Sequence, residues 1–111
     1  MKELSYDAAV IGGGAAGMAA ALELEAAGFS CAIIEREDHL GGILMQCIHN
    51  GFGLHEFSEE LTGPEYADRF IKQVEESKIT VYLNTTVTQF VGDKGQIKEI
   101  LCVSPDGVIR I

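Results

Sequence analysis

Short apolar runs that end in glycine or in a charged residue alternate along this chain with segments whose apolar residues are spaced for helices. Ala8, Ala9, Val10 and Ile11 form a run too short for a helix and stop at three glycines, which predicts a strand buried on both faces of a parallel sheet. The alanine- and leucine-rich stretch after Gly17 predicts a helix, with Gly28 a natural stop after Ala27. Residues 30–34 read as the next strand, ending at Glu35. Further along, Pro64 suits the first turn of a helix in which Tyr66, Ala67, Phe70, Ile71 and Val74 recur at helical spacing. Residues 79–83, β-branched and apolar, fit a third parallel strand, and 85–91, 96–103 and 107–111 read as three antiparallel strands joined by the turns GDKG and SPDG.

The stretch between these regular parts is less patterned. Arg36 to His39 reads as a loop, and Gly41-Gly42 precede an apolar segment, 43–48, suited to a short helix that Asn50, Gly51 and Gly53 would end. Residues 51–63 look like surface loop. The pattern therefore divides into a βαβ unit over 1–35, a loop and short helix over 36–63, a helix and third strand over 64–83, and a β-meander over 85–111. That order is α/β with a parallel sheet.

The chemistry concentrates in the first unit. Gly12 permits a tight turn, Gly14 lacks a Cβ that would hold a pyrophosphate away, and Gly17 lets the helix lie close to the strand, with small Ala21 extending that face. A phosphate at the helix start would meet free N–H groups and the positive end of the helix dipole. Glu35, at the end of the second strand, can accept hydrogen bonds from both hydroxyls of an adenosine ribose and would repel a phosphate placed there. Strand, glycines, helix, strand and acid at this spacing point to a dinucleotide site. The alternative is a tight βαβ turn whose glycines serve packing alone.

Composition narrows the partners. Seventeen acidic residues against eight Lys and Arg leave a net charge of −9, which argues against nucleic acid or an anionic membrane. No apolar run reaches membrane-spanning length, and Met1 leads almost directly into the first strand with no room for a signal peptide, so a cytoplasmic protein is expected. Three dispersed cysteines form no CxxC pair, and Cys31 and Cys102 fall in apparent strands, where a thiol acts as a small buried apolar group. His39, His49 and His55 lack a metal-ligand spacing, and Glu59, Glu60 and Glu65 make no acid/base pair, so no metal site is expected.

The start DxxVIGGGxAGxxAA, the Glu35 carboxylate and the following LGG resemble the amino-terminal part of FAD-dependent pyridine-nucleotide oxidoreductases, the structural family of glutathione reductase and thioredoxin reductase. The resemblance spans essentially the whole chain, and LGGILMQCIHNGFG with LTGPEYADRF looks closest to a bacterial subgroup of NAD(P)/FAD oxidoreductases associated with glycerol phosphate metabolism. It implies a Rossmann-like FAD-binding domain with a three-stranded meander. By resemblance, the FAD pyrophosphate lies at Gly12, Gly14 and Gly17, with Ala15 and Ala16 contributing backbone. Glu35 holds the ribose, Arg36 lies along the adenine, Gly41 and Gly42 pass near the ribityl-pyrophosphate region, and Val87 offers backbone to the adenine edge.

The resemblance also marks departures. Disulfide reductases of the family carry C-x-x-x-x-C after the glycine pair; here Cys47 stands alone and Leu44 occupies the first position. Cys47 is thus a single redox candidate or a residue packed beside flavin, and His49 and Asn50 either face the flavin or hold the loop. The family's ATG-like turn, second GxGxxG for NAD(P)H and later GD motif are absent, so the resemblance implies the first part of a longer chain, its sheet incomplete and its partner the remainder of the oxidoreductase. In the strand order 3-2-1-4 the first strand is then an open edge, and self-association is expected. The intact enzyme would pass hydride between NAD(P)H and an acceptor through flavin, the 111 residues alone being inactive. An NAD-dependent dehydrogenase domain and a non-catalytic dinucleotide-binding module are the alternatives.

Overall fold

The computed structural model describes residues 2–42, 63–93 and 95–111. Its elements are β1 (Lys2–Glu3), β2 (Ala8–Ile11), α1 (Ala15–Ala26), β3 (Cys31–Ile34), α2 (Gly63–Glu75), β4 (Thr80–Tyr82), β5 (Thr86–Asp93), β6 (Gln96–Ser104) and β7 (Gly107–Arg110). Strands β2, β3 and β4 form a parallel sheet in that order, and β7, β6 and β5 form an antiparallel meander. The fold is α/β with a parallel sheet and a meander, as the pattern predicts, and Rossmann-like, as the resemblance implies.

Helix α1 ends where Gly28 takes φ +93°, donating its N–H to the Glu25 carbonyl while Phe29 donates to Leu24. Those two crossed bonds close the last turn as a Schellman cap. At the same end of the parallel pair, Asp7 and Ser30 hold each other's backbone. The Asp7 N–H donates to Ser30 Oγ at 2.9 Å, and the Ser30 N–H donates to Asp7 Oδ2 at 2.8 Å.

β3 organises the core because both its faces are covered. Cys31 and Ile33 pack with Met18 and Ala21 of α1, Val74 of α2, Leu40 and Ile79, whereas Ala32 and Ile34 pack with Ile100 and Cys102 of β6. Alternate side chains thus enter alternate layers: helices, parallel sheet, meander. Each fully buried Ile contributes about 2 kcal/mol of apolar transfer. Helix α2 joins this core through Val74, with Phe70 and Ile71 packed against it, and Tyr66 stacks edge-on to Phe70 with centroids 5.2 Å apart.

Three expectations are corrected. β2 is not buried on both faces: Ala8 and Val10 pack toward the α1 core, but Ala9 and Ile11 are exposed, because the face away from α1 opens on a groove shared with Phe90 and Ile97 of the meander. Gly63, placed in the surface loop, instead opens α2, buried ahead of Pro64, whose missing N–H is tolerated in a first helical turn. β1, absent from the sequence reading, lies parallel to β7 and extends the meander to four strands. The short helix over 43–48 and most of the loop over 51–63 lie outside the described residues.

Candidate functional site

The glycine turn sits at the carboxyl ends of β2 and β3, the position at which ligands bind in open α/β sheets. Gly12 leaves β2 at φ +104°, a conformation that side chains with a Cβ rarely adopt, and its N–H donates to the Ile34 carbonyl at 2.8 Å. Gly14 is the N-cap of α1, without a side-chain cap, and no atom lies within 4 Å of where its Cβ would be. The first helical turn carries no acidic side chain. Met18 N–H to the Gly14 carbonyl, 2.9 Å, is a helical bond, and the amides ahead of it at Ala15, Ala16 and Gly17 have no helical acceptor. Open space over a row of free amides at the positive end of a helix fits an anion.

The second glycine pair is brought to the first. Gly41 N–H donates to the Gly13 carbonyl at 2.8 Å, and a Cβ on Gly42 would stand 3.5 Å from Gly14 Cα. Gly13 itself is enclosed: a Cβ there would lie 2.4 Å from Leu40 Cδ2 and 3.2 Å from Glu35 Oε1.

Beside this turn lies a cleft of about 320 Å³ lined by Ile11, Gly12, Ile34, Glu35, Arg36, Thr85, Thr86 and Val87. Four residues picked out in the sequence, Gly12, Glu35, Arg36 and Val87, therefore meet around one space. Glu35 is 7% exposed, and its carboxylate accepts the Gly13 N–H on Oε1 at 2.7 Å and the Glu37 N–H on Oε2 at 2.8 Å. An ionised carboxylate has about four acceptor positions, so two remain for ligand hydroxyls. The Arg36 side chain is 78% exposed at the rim, with Nε 3.7 Å from Glu37 Oε1. Ala16 is exposed and Ala15 half-buried.

Of the cleft's far wall, the anchoring of Thr85 was not legible beforehand. Thr85 is 2% exposed, donates its N–H to the Glu35 carbonyl at 3.0 Å and its hydroxyl to the Leu83 carbonyl at 2.8 Å. Asn84, at φ +52°, donates its N–H to the Glu37 carbonyl at 2.9 Å. An asparagine directly after a strand was the available signal, since Asn tolerates the left-handed region.

Other titratable groups lie apart. His39 Nδ1 is 2.6 Å from Asp38 Oδ1, which lowers the Asp38 pKa and raises that of His39, both exposed. Burial raises the thiols of Cys31 and Cys102, with Glu25 adding to the effect at Cys31. Among the described residues no group of three or more His, Cys, Asp or Glu is placed to hold a metal, and no helix is long and apolar enough to cross a membrane. Cys47, His49, Asn50, His55, Glu59 and Glu60 lie outside the described residues.

Comparison with known proteins agrees with this fold. The family described as NAD(P)-binding Rossmann-like domain matches residues 10–67. The small chain of glutamate synthase [NADPH] from Mycobacterium tuberculosis is 39% identical over 66 residues, covering 60% of this chain and 12% of its own length. The crystal structure of L-proline dehydrogenase from P. horikoshii superposes at TM-score 0.83 with 25% identity, covering 99% of this chain and 21% of that one. Thioredoxin reductase of T. acidophilum superposes at TM-score 0.75 with 22% identity over 98% of this chain and 33% of its own. The chain thus spans well under half the length of these relatives.

Proposed function

The chain belongs to the NAD(P)-binding Rossmann-like domain family, and from that premise we propose that it holds the adenine and pyrophosphate half of FAD within a flavin-dependent NAD(P)H oxidoreductase. The observation that carries the reading is the convergence of Gly12, Glu35, Arg36 and Val87 on one cleft beside the open N-terminus of α1. Two features favour FAD over NAD: Gly41 and Gly42 lie against the first glycine turn, and a meander packs on the parallel sheet, neither of which a simple NAD domain requires.

In this reading the amides of Ala15, Ala16 and Gly17 receive the pyrophosphate, with Gly12, Gly14, Gly41 and Gly42 permitting its approach. Glu35 accepts the ribose hydroxyls, Arg36 lies over the adenine, and Val87 lends backbone to the adenine edge. The flavin, when bound, supplies the hydride chemistry. The residues of this chain orient it and keep an anion at the head of α1 without a basic side chain. The finer link to bacterial oxidoreductases of glycerol phosphate metabolism comes from the sequence resemblance of residues 40–53 and 61–70.

Titration with FAD and with NAD, followed by flavin fluorescence and by calorimetry, tests the reading. FAD is expected to bind weakly, ADP to compete, and NAD(P)H to remain unoxidised by the chain alone. Binding of NAD without binding of FAD would return the site to the dehydrogenase reading.

A further inference from the structure

The two amides that Glu35 holds belong to different loops: Gly13 in the glycine turn after β2, and Glu37 in the loop after β3. Glu35 is fixed by its own backbone, donating its N–H to the Tyr82 carbonyl at 2.8 Å and accepting the Thr85 N–H at 3.0 Å. The Gly13 peptide is gripped on both sides, because its carbonyl accepts the Gly41 N–H at 2.8 Å. A run of three glycines has more backbone freedom than any other sequence, so a ligand entering an unanchored turn would have to order it. A buried, charge-assisted hydrogen bond from the end of the central strand removes that freedom in advance.

We infer that Glu35 is a positioning residue for the pyrophosphate loop as well as a ribose ligand: by holding Gly13 it sets the turn at the head of α1 and seats Gly41 and Gly42 against it. The inference rests on the dinucleotide reading and deepens it. Ribose recognition and pyrophosphate recognition are then coupled through one peptide. A ligand that lacks ribose hydroxyls should still depend on the Glu35 carboxylate.

The test compares ADP with 2′,3′-dideoxy-ADP, binding to the full chain and to its Glu35→Gln variant. Gly13 and Glu37 donate to different oxygens of Glu35, and glutamine replaces one of those oxygens with an NH2 group, so it cannot hold both amides as the carboxylate does. Affinity for the dideoxy ligand is expected to fall at least about tenfold in Glu35→Gln. Loss for ADP with no loss for dideoxy-ADP would confine Glu35 to the ribose and overturn the inference.

Amide exchange in the ligand-free state decides the same point without a ligand. The Gly13 amide should be protected in the wild type and exchange at least about tenfold faster in Glu35→Gln, while Ile33 keeps its protection. If the wild type binds neither nucleotide, the dinucleotide reading fails while the exchange result still judges the positioning role. If the variant does not fold, the wild type alone suffices: a Gly13 amide exchanging at the rate of an unstructured peptide would overturn the inference, and a protected one supports it.

Discussion

A Cβ on Gly17 would stand 2.0 Å from the carbonyl oxygen of Gly12 and 3.4 Å from Val10 Cγ1, so α1 touches the end of β2 backbone to backbone. The contact is with a carbonyl that itself belongs to the strand-to-turn junction, and it cannot move without opening the turn. Gly17→Ala is therefore expected to destabilise the fold by about 3 kcal/mol, read as a lower urea midpoint at unchanged slope. A variant as stable as the wild type would show that the helix can slide on the sheet.

Gly14 makes the opposite case. Its φ of −75° suits any residue, and its Cβ position opens on empty space. Gly14→Ala should keep stability within about 1 kcal/mol of wild type. Its affinity for FAD and for ADP should nevertheless fall at least about tenfold, because the methyl group occupies the approach of the pyrophosphate. Calorimetric titration beside a urea melt separates the two effects, and retained affinity would remove the pyrophosphate from this turn.

These two glycines also show why part of the molecule was legible in the sequence. The requirements at Gly12, Gly17 and Gly28 are local, set within a few residues of strand or helix, and the structure meets each where spacing places it. The strand ending at Glu35 was legible for the same reason. β1 was not: Lys2–Glu3 has no pattern of its own and forms a strand only because β7, more than a hundred residues later, lies beside it. Nor does the composition of β2 disclose its open face, since an apolar run reads alike whether one face or both are covered. The enclosure of Gly13 by Leu40, the second use of Glu35 and the Asp7–Ser30 pair all depend on loops meeting in space.

Alkaline pH should weaken the packing of the meander on the sheet. The Tyr6 and Tyr82 hydroxyls are 2.5 Å apart, with their rings edge to face at 6.3 Å, and burial followed by the Tyr6 hydrogen bond raises the Tyr82 pKa from its ordinary value of 10.0. A phenol with a raised folded-state pKa binds its proton more tightly in the native chain than in the unfolded one. Its contribution to stability is therefore complete below pH 10 and is lost as pH rises beyond it. The buried thiols of Cys31 and Cys102, raised from 9.0, act in the same direction. Urea melts between pH 8 and pH 11 should show a falling midpoint, and Tyr82→Phe should make the fall shallower while costing about 1 kcal/mol at neutral pH. An unchanged slope in that variant would assign the alkaline loss to the thiols.

The open edge of β2 carries the last expected outcome, pairing with a second copy of this chain. Among the described residues β2 is bonded on one side only, and Ala9 and Ile11 project into a groove of about 350 Å³ that Phe90 and Ile97 also line. Ile11, Phe90 and Ile97 are all more than half exposed, and no Pro or Lys interrupts residues 8–11. An unguarded edge of this kind templates pairing with another strand. The net charge of −9 opposes the approach of two copies, so added salt should strengthen association by screening. Light scattering is expected to give a mass above that of one chain, rising with salt, and the double substitution Ala9→Lys with Ile97→Lys should return it to one chain without loss of the folded circular dichroism signal. A wild type that stays at the mass of one chain in high salt would show that the groove does not recruit a second copy.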